Sequence, residues 1–183
     1  MTKASWVVVL VEDMRQRQLI WRFLDNAGLH ARQVRFSPPR RWDGSGEQRV
    51  RETYPKEVRE FRRRNAKAGT VLIVAIDADA GTVQARLSQL AKSLQAAHLD
   101  PVDPKTESIA HLVPKRNIET WILCLNDALV DEDIDYKQSG DWSDRIRRAG
   151  ETLFQWTRLK APLPEHCVPS LSSGVIELKR LNL

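Results

Sequence analysis

Val71-Leu72-Ile73-Val74-Ala75-Ile76-Asp77-Ala78-Asp79 decides how this chain is read: six apolar residues in a row stop on two carboxylates, and Gly81 follows at once. An unbroken apolar, β-branched run of this length reads as a strand buried on both faces, opening into a turn at its C-terminal end. Open parallel sheets keep their ligands at that end. Asp77 and Asp79 are two apart, so in extended geometry both side chains point to one side and can serve one hard cation through oxygen ligands. A second reading stands beside this one, in which Asp79 or Thr82 caps the following helix.

Working outward, Ser5 to Val11 repeats the pattern and ends on Glu12 and Asp13. Met14 to Ala27 then places Leu19, Ile20, Phe23 and Leu24 on one face of an amphipathic helix closed by Gly28. Leu29 to Phe36 is a shorter strand stopped by Ser37-Pro38-Pro39. Residues 37–69 read as a basic insertion, helical from Glu47 to Ala68 apart from Pro55, with a thin apolar stripe of Val50, Tyr54, Val58 and Phe61 and a basic end at Arg62, Arg63 and Arg64. Thr82 to Ala97 is a second crossover helix, Ser108 to Val113 another strand, and Asn117 to Leu125 a helix with Arg116 and Glu119 at its first turn. The order predicts an α/β fold of Rossmann-like type: a mainly parallel sheet of about four strands flanked by helices over 1–126. A helical extension over 127–183 follows, joined by an acidic segment, Asp127 to Tyr136, read as a solvated linker.

At 183 residues and 42% hydrophobic the chain can bury one good core. It has no apolar run near the roughly 20 residues that span a bilayer, and its start leads directly into a strand pattern, so a cytoplasmic protein without a signal peptide or membrane partner is expected. Cys124 and Cys167 lack metal-ligand spacing and are expected as free thiols. Charge is uneven: Arg32 to Lys67 holds ten Arg and two Lys against five acids, a local surplus of +7 in a chain of net +5. Such concentration points to a polyanion, with Arg40, Arg41, Arg62, Arg63, Arg64 and, further on, Arg116 as candidate nucleic-acid contacts.

A Glu after the first strand and an Asp-x-Asp after a later one, each followed by a helix, resemble the TOPRIM family of topoisomerases, primases, recombination mediators and small nucleases. The likeness runs from about Ser5 to Leu125. Val113-Pro114-Lys115-Arg116-Asn117-Ile118-Glu119-Thr120-Trp121 is similar to a strand-to-helix signature of small stand-alone TOPRIM-like proteins of bacterial genomes and defence islands. The resemblance implies Mg²⁺ or Mn²⁺ held by Glu12, Asp77 and Asp79, with Glu119 as a further ligand or general base. It also implies a nuclease acting on DNA or RNA, as the effector of a defence or repair system. An ATPase or sensor partner would be another chain, because no phosphate-binding Gly-rich loop ending in Gly-Lys-Ser/Thr occurs here. The alternative is a non-catalytic nucleic-acid-binding or regulatory subunit. In one respect the chain departs from the family pattern: Asp13 stands where Gly usually follows the Glu.

Overall fold

The computed structural model describes residues 4–37, 45–65, 69–138, 140–181 and 183. Four strands, β1 (Trp6–Val11), β2 (Val34–Ser37), β3 (Thr70–Ala75) and β4 (Ile109–Leu112), form one sheet in the order β2-β1-β3-β4. Every pairing is parallel, with Val9 opposite both Phe36 and Ile73, and Ile73 opposite Ala110. The fold is α/β and compatible with a Rossmann-like arrangement. All six residues of β3 are buried, as an apolar run without alternation requires.

Successive side chains of a strand point to opposite faces, and here each face has its own helical cover. Val7, Val9, Val11, Val71, Ile73 and Ala75 meet a cluster built by α1 (Met14–Asn26), α4 (Ile118–Cys124), α5 (Ser143–Thr157) and α6 (Pro169–Lys179). Val8, Leu10, Leu72, Val74 and Ile76 meet α2 (Gly46–Asn65) and α3 (Val83–Ala96). The segment read as an insertion is thus itself the crossover helix from β2 to β3. Its sparse stripe of Val50, Tyr54, Val58 and Phe61 is fully used, and the Tyr54 hydroxyl meets His111 Nε2 at 2.8 Å. The helix runs on through Pro55.

Two boundaries differ from expectation. The strand expected from Leu29 starts only at Val34, because Ala31–Gln33 forms a 3-10 turn in which the His30 N–H donates to the Gln33 side chain at 3.0 Å. The acidic segment after Asn126 is largely exposed, as expected, but it is anchored as well. Asp133 pairs with Lys115 at 2.6 Å, Asp135 accepts from Asn117 Nδ2 at 2.7 Å, and Glu132 accepts from the Ser170 N–H at 3.0 Å. Its acids look unbalanced only locally; their partners come from the β4–α4 connection and from α6.

The C-terminal helices complete the main core. Ile146, Ala149 and Leu153 of α5 and Leu171, Val175 and Leu178 of α6 join the cluster that holds β1 and α1. Along the outer edge of β4, the His111 N–H donates to Glu177 Oε2 at 3.2 Å, and Arg180 donates to the Ile109 carbonyl and to the Glu107 carbonyl, the latter at 2.9 Å. Cys124 and Cys167 are free thiols. Among the described residues no helix is long and apolar enough to cross a membrane.

Close packing of α5 on α1 depends on Gly150, where an added Cβ would stand 2.4 Å from Arg22 Cβ and 3.1 Å from the Arg22 carbonyl carbon. Gly150→Ala is therefore expected to destabilise the fold by about 1–3 kcal/mol through overpacking, read as a lower urea midpoint at unchanged slope.

Candidate metal centre

Parallel strands all end at one edge of the sheet. The chain leaves β1 for β2 on one side, while β3 and β4 lie on the other, so the C-terminal ends of β1 and β3 flank the point where strand order reverses. Ligands of open α/β sheets bind in that crevice. Glu12 immediately follows β1 and Asp77 lies just beyond β3.

The Glu12 carboxylate is tied to the backbone at Asp77, whose N–H donates to Glu12 Oε2 at 3.0 Å. Gln16 locks the pair. Its side-chain amide donates to Asp77 Oδ1 at 2.8 Å, its Oε1 accepts from the Glu12 N–H at 2.8 Å, and its own N–H donates to Asp13 Oδ1 at 2.8 Å. Asp13 is accordingly the N-cap of α1. From the other side Arg49, in the first turn of α2, donates to the Val11 carbonyl at 3.0 Å and the Glu12 carbonyl at 2.6 Å. Gly46 lies so near that an added Cβ would stand 2.4 Å from the Glu12 carbonyl oxygen.

Asp77 is 0% exposed and its Oδ2 has no hydrogen-bond partner. Burial, then the Glu12 and Asp13 charges, hold its carboxyl well above the usual range. Burial also raises Glu12, helped by Asp79 and Asp13 and opposed by the hydrogen bond from Asp77. Two carboxylates at close quarters in a dry crevice favour a proton or a cation.

The other two acids are turned elsewhere. β3 ends at Ala75, so the extended geometry that would align Asp77 and Asp79 does not persist. Asp79 has φ 55°, in the left-handed region, and its carboxylate meets Arg86 at 3.1 Å. Arg86 also pairs with Glu47, tying α3 to α2 at this rim, and Thr82 rather than Asp79 caps α3. Glu119 is 1% exposed; one oxygen pairs with Arg15 and the other has no partner. Among the described residues no three His, Cys, Asp or Glu side chains are grouped closely enough to hold a metal ion as they stand.

The basic residues separate by topology. α2 has 20 residues and is about 30 Å long, starting against Glu12 and ending where the chain re-enters β3. Arg62, Arg63 and Arg64 therefore lie at the end of the sheet opposite the carboxylates. Arg62 is committed to Glu107 at 2.6 and 3.0 Å and to the Asp100 and Pro101 carbonyls, and it holds the Glu107 carboxyl below its usual range. Arg63, with a side chain 73% exposed, meets Glu60 at 2.8 Å, and Arg64 meets the same acid at 3.9 Å. Arg116 is at the carboxylate end, 3.9 Å from Asp135. Arg40 and Arg41 lie outside the described residues.

Sequence reading missed Gln16, Arg49, Gly46 and Arg86. Gln16 alone carried a signal. It occupies a core position of α1, three and four residues before Leu19 and Ile20, where a polar side chain needs a buried partner. No family model, no curated protein and no solved structure matches this chain.

Two outcomes follow from this geometry. A raised folded-state carboxyl pKa contributes stability that is fully present below the ordinary value of 3.8 and is lost as pH rises through the folded value. Asp77→Asn is therefore expected to stabilise the metal-free protein at neutral pH by on the order of 1 kcal/mol, with the advantage vanishing toward pH 3, as urea titrations across pH will show. Arg62→Ala is expected to cost about 1–3 kcal/mol through lost charge-assisted hydrogen bonds. Arg63→Ala and Arg64→Ala should change stability by no more than about 0.5 kcal/mol in the same assay.

Proposed function

We propose that this chain is a metal-dependent phosphodiester-cleaving enzyme of TOPRIM type, a nuclease acting on DNA or RNA. One observation carries the reading: a wholly buried Asp77 whose Oδ2 is unpartnered, beside Glu12, at the reversal point of a parallel sheet. An uncompensated carboxylate there is costly to the fold, and a cation would offset that cost. The all-oxygen donor set suits a hard ion such as Mg²⁺ or Mn²⁺, held by Glu12 and Asp77 with Asp79 at the rim. When bound, such an ion supplies a polarised phosphoryl oxygen and an activated water.

The chain's own residues fix the donors. Gln16 sets which Asp77 oxygen faces inward, Arg49 and Gly46 fix the backbone of Glu12, and Arg15 holds Glu119 with one oxygen free as a candidate base. Phosphate contacts at this end fall to Lys115, Arg116 and Lys137, and Arg62–Arg64 are left out of the site. The resemblance to small stand-alone TOPRIM-like proteins supports a cytoplasmic effector of bacterial defence or repair, working with an ATPase on another chain.

A second reading, a non-catalytic nucleic-acid-binding or regulatory subunit, is favoured by the engagement of Asp79 with Arg86 and of Glu119 with Arg15. The two are separated by incubating the full chain with single- and double-stranded DNA and RNA in Mn²⁺. Nuclease function predicts cleavage that falls about a hundredfold or more in Glu12→Gln and in Asp77→Asn, since a metal ligand contributes several kcal/mol of transition-state stabilisation. Salt-sensitive binding without cleavage would leave the second reading standing.

A further inference from the structure

We infer that the chain has a second binding site, a cavity beside β4 and between α3 and α6, which takes a small neutral molecule with an apolar body and one carbonyl oxygen anchored by His111. The inference is independent of the metal-binding reading above.

The cavity has a volume of about 360 Å³, within the range of small-molecule sites. Its apolar wall is built by Val83 and Leu87 of α3, Val102 of the loop that follows, Val113 just past β4 and Ile176 of α6. Ile176 is 61% exposed, an apolar side chain that a bound molecule would cover. His111 of β4 lines the same space.

The hydrogen bonds around His111 decide what its ring offers. Tyr54 is 1% exposed, and its hydroxyl has one partner among the described residues, His111 Nε2 at 2.8 Å. A buried hydroxyl proton needs an acceptor, so Tyr54 donates and Nε2 accepts. Burial pushes the His111 imidazole down to about 4, with Glu177 and Arg180 acting on it in opposite directions, so the ring is neutral at neutral pH. A neutral imidazole that accepts at one nitrogen carries its proton on the other. Nδ1 is therefore an N–H donor, and among the described residues it has no acceptor.

The charges on the wall are already spent. The five N–H groups of Arg180 go to Glu177 Oε1 at 3.2 Å, to Glu177 Oε2 at 2.7 Å, to the Glu107 carbonyl at 2.9 Å, to the Pro104 carbonyl at 3.3 Å and to the Ile109 carbonyl. Glu177 Oε2 also accepts from the His111 N–H at 3.2 Å. Of the hydroxyls on α6, Ser173 donates to the Pro169 carbonyl at 3.1 Å and Ser170 accepts from Trp121 Nε1 at 2.8 Å. An ionic ligand would lose its hydration here and find no free counter-charge, whereas a carbonyl oxygen needs only the Nδ1 proton.

Two measurements on the full chain test this. Nitrogen-15 spectra of the histidine rings at neutral pH are expected to show His111 protonated on Nδ1 and bare on Nε2, and the opposite tautomer overturns the inference. Methyl shifts of Val83, Leu87 and Val113 are then followed during titration with acetophenone and with ethylbenzene, which is similar in shape but has no oxygen. One hydrogen bond in an apolar site is worth about tenfold in affinity, so acetophenone is expected to bind about tenfold tighter. Tyr54→Phe combined with His111→Leu removes both partners of the buried hydrogen bond and strands neither, and should bind the two molecules within about twofold of each other. Equal affinities in the wild type, or an undiminished preference in the double variant, overturn Nδ1 as the anchor. Absence of shifts at these methyls with either molecule overturns the cavity as a binding site. The wild-type titration and the ring spectra decide the matter even where the double variant does not fold.

Discussion

Complete burial of β3 is the constraint from which the rest of the structure follows. A strand with apolar side chains on both faces cannot stand at the surface, so it needs a neighbour on each side and a helical layer above and below. β1 and β4 supply the first requirement, and α2 with α3 on one face and α1, α4, α5 and α6 on the other supply the second. The last two helices are as much a part of this solution as α1. Leu153, Leu171 and Val175 complete the cover that α1 and α4 begin on the Trp121 side of the sheet.

The same constraint creates the crevice. From Val71 to Ile76 the run is apolar throughout, so the next polar residue, Asp77, appears where the strand runs out, and there it meets the corresponding end of β1. Asp77 is fully buried there, between the buried residues Ile76 and Ala78. Its Oδ1 accepts the Gln16 side-chain amide, and its backbone N–H donates to the Glu12 carboxylate. Both partners come from α1 and the β1–α1 turn, so the placement of the acids and the capping of α1 are one hydrogen-bond network rather than two.

The layers and the strand-end acids were legible in the sequence because each rests on local pattern: apolar runs, three-four spacing, and acids at the stops. What was not legible depended on direction or distance. Arg62, Arg63 and Arg64 are near Glu12 in neither sequence nor space, and only the orientation of α2 as a crossover shows which end of the sheet they reach. Asp79 was read as continuing an extended strand, whereas its left-handed backbone is set by the tight turn in which the Gly81 N–H donates to the Ala78 carbonyl at 2.9 Å. The anchoring of Glu132, Asp133 and Asp135 was hidden because their partners, Ser170, Lys115 and Asn117, are 18 or more positions away. Gln16 was within reach of pattern reading, as the one polar residue on an otherwise apolar face.

The treatment of β4 governs how copies of this sheet can meet. An edge strand ordinarily offers its free amides and carbonyls as a template for another strand, which is how sheets extend between molecules and how many peptides are captured. Here Glu177 and Arg180 occupy that template, taking the His111 amide and the Ile109 carbonyl, so an incoming strand would first have to break a charged clamp. The other edge strand, β2, is like β4 only four residues long, and its Arg35 is held by Glu57 at 2.6 Å. Both edges are therefore short, and the β4 edge is blocked in addition by side-chain chemistry.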